Sequence, residues 1–181
     1  MRPQRAAWRH PAFIALLSLA ACAPSEDQAA ALGEHLLQSL AFARQAADTA
    51  TIQSIFQPDA TYDDYAGGVE YRGIQEIIGY LTSVHDWGDD VYLNLGNVLT
   101  GSSSAVGEWF FSAVQARPIP DLISTGTDRE VSYAGATVIE IEAGRIARAS
   151  DYFDRAGMLL QLGARVHLPD GSILENDLPA N

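Results

Sequence analysis

A carboxylate at the end of an apolar strand is the feature of this chain best suited to chemistry. Asp154 stands where the apolar run Arg145–Phe153 gives way to Arg155-Ala-Gly-Met, directly after Tyr152 and Phe153. An apolar pocket raises the pKa of a carboxyl group, which can then remove and return protons near neutral pH. The same position suits an N-cap for a helix beginning at Arg155, and one residue can serve both ends. Strict alternation along this strand, with no bulge, would put Ile146, Arg148, Ser150, Tyr152 and Asp154 on one face. Arg148 lies about 20 Å from Asp154 along such a strand at about 3.3 Å per residue, so any partner of Asp154 comes from another element.

Aromatic residues supply the walls a ligand would meet. In Trp109-Phe110-Phe111 alternation sends Trp109 and Phe111 to one face and Phe110 to the other; for each, core packing is the commoner role of such a residue and ligand contact the alternative. Tyr62, Tyr65 and Tyr71 flank a turn at Gly67-Gly68, and a phenol there can donate to a developing oxyanion. We take Tyr62, Trp109, Phe111 and Tyr152 as the ligand-binding set. Asp63 and Asp64 are adjacent and read as a solvated turn, and His85 reads as a C-terminal cation on the helix before it.

The elements that must position these residues change period along the chain. Leu32, Leu36, Leu37 and Leu40 recur at helical spacing, Asp48-Thr49 offers an N-cap for a shorter helix through Ile52, Ile55 and Phe56, and a third helix covers 74–84. Residues 91–99, 105–114, 129–142 and 145–153 are rich in β-branched and aromatic types, with turns at Gly101-Ser-Ser-Ser and Ala143-Gly144. Helices followed by consecutive antiparallel strands make an α+β layout.

Composition excludes several function classes. The formal net charge is −12, and all 11 basic residues are Arg, so a nucleic-acid partner is excluded by repulsion. The histidines are scattered and there is one cysteine, so no metal-ligand spacing exists. That cysteine, Cys22, follows a basic start (Arg2, Arg5, Arg9) and a short apolar run, the pattern of a secretory signal rather than of a membrane span. Leu19-Ala20-Ala21-Cys22 resembles the bacterial lipobox, which implies lipidation at Cys22 and attachment to the envelope through the lipid alone. Ala23 in the next position implies the outer membrane, facing the periplasm. The chain then divides into a signal peptide at 1–21, a tether at 22–30, one domain at 31–168 and a loose tail at 169–181.

Four stretches carry a resemblance to a known family. They are Phe56-Gln-Pro-Asp-Ala-Thr-Tyr-Asp, Tyr71-Arg-Gly-Ile-Gln-Glu-Ile-Ile, Thr125-Gly-Thr-Asp-Arg-Glu-Val and the ending from Gly144-Arg-Ile to Asp154-Arg-Ala-Gly-Met-Leu-Leu-Gln-Leu-Gly. The chain resembles the SnoaL-like (polyketide cyclase-like) branch of the nuclear transport factor 2-like superfamily. The resemblance implies a cone-shaped, curved antiparallel sheet wrapped around the N-terminal helices as an α+β barrel with one deep apolar pocket. It also implies cofactor-free acid/base chemistry of isomerase, cyclase or hydrolase type on a small apolar molecule, with Asp154 in the position of the cyclases' acid/base. Two departures weigh against the specific activities: the strands from 91 to 153 hold no histidine facing the Asp, and the Asp-Arg-Asp arrangement of the epoxide-opening relatives is absent. A fold hosts many functions, so a non-catalytic binding module and a homodimerising module stand beside the enzyme.

Overall fold

The structure, a computed structural model, describes residues 25–176. The stretch expected to be a signal peptide, and Cys22, lie outside the described residues. Helix α1 (Glu26–Ala46) starts on a capping box in which the Ser25 hydroxyl accepts from the Gln28 N–H and the Gln28 side chain accepts from the Ser25 N–H. It therefore begins inside the stretch expected to be a tether. Its Leu36, Leu37, Leu40 and Ala43 are buried, each leucine contributing about 1.5–3 kcal/mol of apolar burial. Asp48 caps α2 (Thr49–Ile55), accepting from the Ala50 and Thr51 N–H groups and from the Thr51 hydroxyl.

A six-stranded sheet follows, formed by β1 (Phe56–Asp64), β2 (Val69–Arg72), β3 (Gly88–Thr100), β4 (Ser104–Gln115), β5 (Arg129–Glu142) and β6 (Arg145–Phe153), in the order β2-β1-β6-β5-β4-β3. Helices α3 (Gly73–Thr82) and α4 (Val84–Trp87) connect β2 to β3, and α5 (Arg155–Gln161) follows β6. Helix α1 packs on β3, β4 and β5, and α3 packs on β1 and β2. A small hairpin of β7 (Arg165–His167) and β8 (Ile173–Glu175) ends the described chain, overlapping the stretch expected to be a loose tail.

The expected cone does not form. The sheet is open and not strongly curled, with β2 and β3 as its two edges. It is also mixed rather than antiparallel, because β1 pairs in parallel with β6, the last strand to arrive. Consecutive hairpins make β3 to β6 antiparallel, as their short turns require. The chain reaches β1 earlier, through the helices, and so joins from the far side. Its register against β6 slips between Phe56 and Thr61, where Pro58 has no N–H to offer the ladder.

One local irregularity decides which face of β6 points inward. Glu140 pairs with Arg148 but Ile141 pairs with Ile146, leaving Ala147 as an extra residue on β6. This bulge inverts the alternation beyond it. Ala149 and Asp151 therefore face the helices, whereas Arg148, Ser150 and Tyr152 turn to the other side.

Glycine matters most at Gly135. It pairs with Trp109 across β4 and β5, and a Cβ there would lie 2.4 Å from the indole. Gly135→Ala is expected to lower stability by about 1–3 kcal/mol through overpacking against a rigid ring, read as a lower midpoint in urea unfolding with an unchanged slope.

Candidate active site

The chemistry of the inner face gathers on Asp151. This carboxylate is completely buried, and four side chains from four elements surround it. Its Oδ1 accepts from the Tyr62 hydroxyl of β1 at 2.8 Å and from the Thr137 hydroxyl of β5 at 2.5 Å. Its Oδ2 accepts from the Tyr80 hydroxyl of α3 at 3.2 Å and lies 3.1 Å from Nη1 of Arg44, in the last turn of α1. A further donor stands behind Thr137, whose oxygen accepts from the Trp109 indole N–H at 2.9 Å. The Arg44 guanidinium carbon sits 5.5 Å from the centre of the Trp109 ring, within cation–π range.

Burial makes this cluster electrostatically strong. Burial opposes the Arg44 charge, but the Asp151 carboxylate, with Tyr62, Tyr80 and Tyr133 adding to it, holds the guanidinium pKa above its ordinary value. Burial pushes the Tyr62 and Tyr80 phenols well up, and the Asp151 charge pushes the same way. Tyr133 is likewise raised, first by burial, with Arg44 opposing and Asp151 adding. All three phenols therefore keep their protons at any physiological pH.

A cavity of about 390 Å³ opens beside the cluster, within the range of small-molecule sites. Arg44 and Tyr80 form part of its wall, as do Trp87, Trp109, Phe111, Tyr133 and Phe153, while Asp64 and Arg155 also line it. Asp151 is not in the wall, so its partners present it to the cavity. A loop carrying Ile119, Pro120 and Leu122 covers one side. Gln115 holds the base of that loop: its amide donates to the Arg117 and Thr125 carbonyls and its oxygen accepts from the Thr127 N–H and hydroxyl. Among the described residues no group of three His, Cys, Asp or Glu side chains converges as a metal site.

The structure brings together only part of the expected set. Trp109 and Phe111 share the inward face and line the cavity, and Tyr62 is buried against Asp151. Asp154 is exposed, accepts from the Gly157 N–H at 2.8 Å as the N-cap of α5, and is not in the cavity wall. Tyr152 is exposed on the outer side of β6, stacked on Tyr65. The Ala147 bulge is the reason: it moves the inward carboxylate from the strand end to Asp151. Asp63 is no solvated turn either, since it receives two N–H groups from Arg148 on that outer side. His85 lies 2.9 Å from the Arg44 carbonyl, at the end of α1 rather than α3. Arg44, Tyr80, Tyr133 and Thr137 had no signal of their own in a single sequence, except that Arg44 continues the Leu36, Leu40 stripe at i+4.

Residues 36–149 match the SnoaL-like domain family, and the chain belongs to it. No protein of curated function matches by sequence. Among solved structures, TsrD from Streptomyces laurentii is 25% identical, with 74% of this chain and 96% of that one covered at a TM-score of 0.65. A SnoaL-like polyketide cyclase candidate from Jannaschia sp. CCS1 is 11% identical, covering 76% and 96% at 0.68. An LEH-like epoxide hydrolase from M. tuberculosis is 18% identical, covering 74% and 90% at 0.58. The latter two share the fold.

The raised phenols fix the sign of an alkaline effect. A phenol whose folded pKa exceeds its unfolded value of about 10 contributes stability that is full below pH 10 and is lost as pH rises through the folded pKa. Stability should thus fall steadily above about pH 10. Phenolate absorbance should show Tyr62, Tyr80 and Tyr133 titrating only as the protein unfolds, and early titration of Tyr62→Phe-sensitive signal would contradict this.

Proposed function

We propose that the protein binds a small, mostly apolar molecule in this cavity and moves a proton on it without a cofactor, in an isomerase-, cyclase- or hydrolase-type reaction. The observation that carries the reading is Tyr80, which lines the cavity and directs its hydroxyl at a buried carboxylate 3.2 Å away. Because the Tyr80 pKa is pushed well up, a free phenolate is not the base. The transfer is concerted instead: the ligand's proton passes to the Tyr80 oxygen as the Tyr80 proton passes to Asp151 Oδ2. Reversal of the same path delivers a proton to the product. The role first assigned to Asp154 thus falls to Asp151, acting through Tyr80.

Exchange of ligand C–H protons with deuterated water, followed by NMR, tests this directly. Tyr80→Phe should cut the exchange rate by about 10²–10⁴-fold, the range of acid–base contributions, while leaving affinity within about threefold. Wild-type exchange in both Tyr80→Phe and Asp151→Asn would overturn the relay, and exchange no faster than without protein would leave a binding protein with no catalysis.

Two finer parts of the reading rest on other observations. The sheet's outer side exposes Leu99, Tyr92, Phe110 and Tyr152, an apolar surface that supports a homodimerising module as the second reading; sedimentation of Phe110→Asp against wild type checks it. The lipobox-like Leu19-Ala20-Ala21-Cys22 supports an envelope protein held by lipid at Cys22, which the mass of the mature N-terminal peptide checks. Among the described residues no helix is long and apolar enough to cross a membrane.

A further inference from the structure

We propose that Arg44 is the ligand-recognition residue of this cavity and that it takes a neutral acceptor oxygen on a flat apolar molecule, with the Tyr133 hydroxyl as second donor. The inference rests on the cavity being a ligand site. A guanidinium carries five N–H donors in a fixed fork. Asp151 engages Nη1 of Arg44, and no other acceptor meets the guanidinium among the described residues. The remaining donors are not sealed in. Among the described residues the only enclosed side-chain polar atom without a partner is Ser150 Oγ, on the opposite side of β6 from Asp151. The free N–H groups of Arg44 therefore open onto the cavity that Arg44 lines.

Their direction is fixed before any ligand arrives. Asp151 holds one corner of the guanidinium at 3.1 Å, and the Trp109 ring lies 5.5 Å from its centre. Pre-set donors bind with little loss of side-chain freedom. Tyr133 stands in the same wall, edge-on to Trp109 at 5.9 Å and stacked on Phe153 at 5.1 Å. The Tyr62 and Tyr80 protons are committed to Asp151; the Tyr133 hydroxyl has no protein acceptor among the described residues. It is the phenol with a proton to give.

Charge decides between a neutral and an ionic ligand. The wall holds Arg44 and Arg155 against Asp64 and Asp86, and Asp151 stands behind Arg44. Two cations face three carboxylates, and the inner cation is already neutralised at contact distance. A carboxylate ligand would add a second buried negative charge beside Asp151, and an ammonium ligand would be placed against Arg44. A neutral oxygen avoids both penalties. The aromatic wall of Trp87, Trp109, Phe111 and Phe153 favours a flat body behind that oxygen.

Three probes of one shape test this by calorimetry on the full chain: 2-acetylnaphthalene, 2-ethylnaphthalene and 2-naphthoate. The ketone should bind at least about tenfold tighter than either of the others, as a hydrogen bond to a charged group implies. Its carbonyl stretching band should move to lower frequency when bound. Tyr133→Phe, which leaves the ion pair intact, should weaken the ketone by roughly threefold to tenfold and leave 2-ethylnaphthalene unchanged. Arg44→Met combined with Asp151→Asn, which strands no lone charge, should erase the preference and the band shift. Equal binding of all three, or tightest binding of the naphthoate, would overturn the assignment while leaving the cavity as a ligand site. Failure of every probe, the hydrocarbon included, would sink the cavity reading and this inference with it.

Discussion

The buried pair of Arg44 and Asp151 is the constraint around which the inner face is arranged. Removing two charges from water costs several kcal/mol per ion, and the cost is met only when geometry is good and the remaining polar positions are filled. Here they are filled from α1, α3, β1 and β5 at once, by Arg44, Tyr80, Tyr62 and Thr137. The carboxylate thereby ties two helices to two strands that are far apart in sequence. Each tie also sets the direction of a side chain that faces, or stands next to, the cavity. Stability and site geometry are thus the same set of contacts.

Packing around the pair follows from the same requirement. Trp109 serves three neighbours: its N–H supports Thr137, its ring sits beside Arg44, and its edge meets Tyr133. That crowding leaves no room for a Cβ at Gly135. On the other side of the cavity the connection between β4 and β5 carries a partial cover held at its base by Gln115. The result is a rigid aromatic floor with a polar inner end and a cover attached at its root. A site of this form suits an apolar molecule with one polar atom.

Much of this was legible in the sequence and some was not, for identifiable reasons. The helical spacing of Leu32 to Leu40, the Asp48 cap, the four later strands and the Ala143-Gly144 turn all follow from local patterns, and the structure has them. Trp109 and Phe111 share the inward face as alternation requires. Alternation failed on β6 because a single extra residue, Ala147, inverts the phase, and nothing in Arg145-Ile-Ala-Arg-Ala-Ser marks a bulge. That one slip moved the expected carboxylate from Asp151 to Asp154 and placed Tyr152 inside. The parallel pairing of β1 with β6 was hidden for a different reason: it joins residues about 90 apart, and no local pattern encodes it. The mixed sheet in place of an antiparallel one follows from that pairing.

A double-mutant cycle on the central pair tests this account most directly. Arg44→Met, Asp151→Asn and the double variant would be compared with wild type by urea unfolding. Removing Arg44 alone strands a buried carboxylate and should cost about 3–5 kcal/mol, whereas the double variant, with neither charge, should recover a large part of that loss. The account predicts a coupling energy well above 1 kcal/mol and a double variant more stable than Arg44→Met. Losses that simply add would mean that the two residues act independently and that the pair does not organise the site.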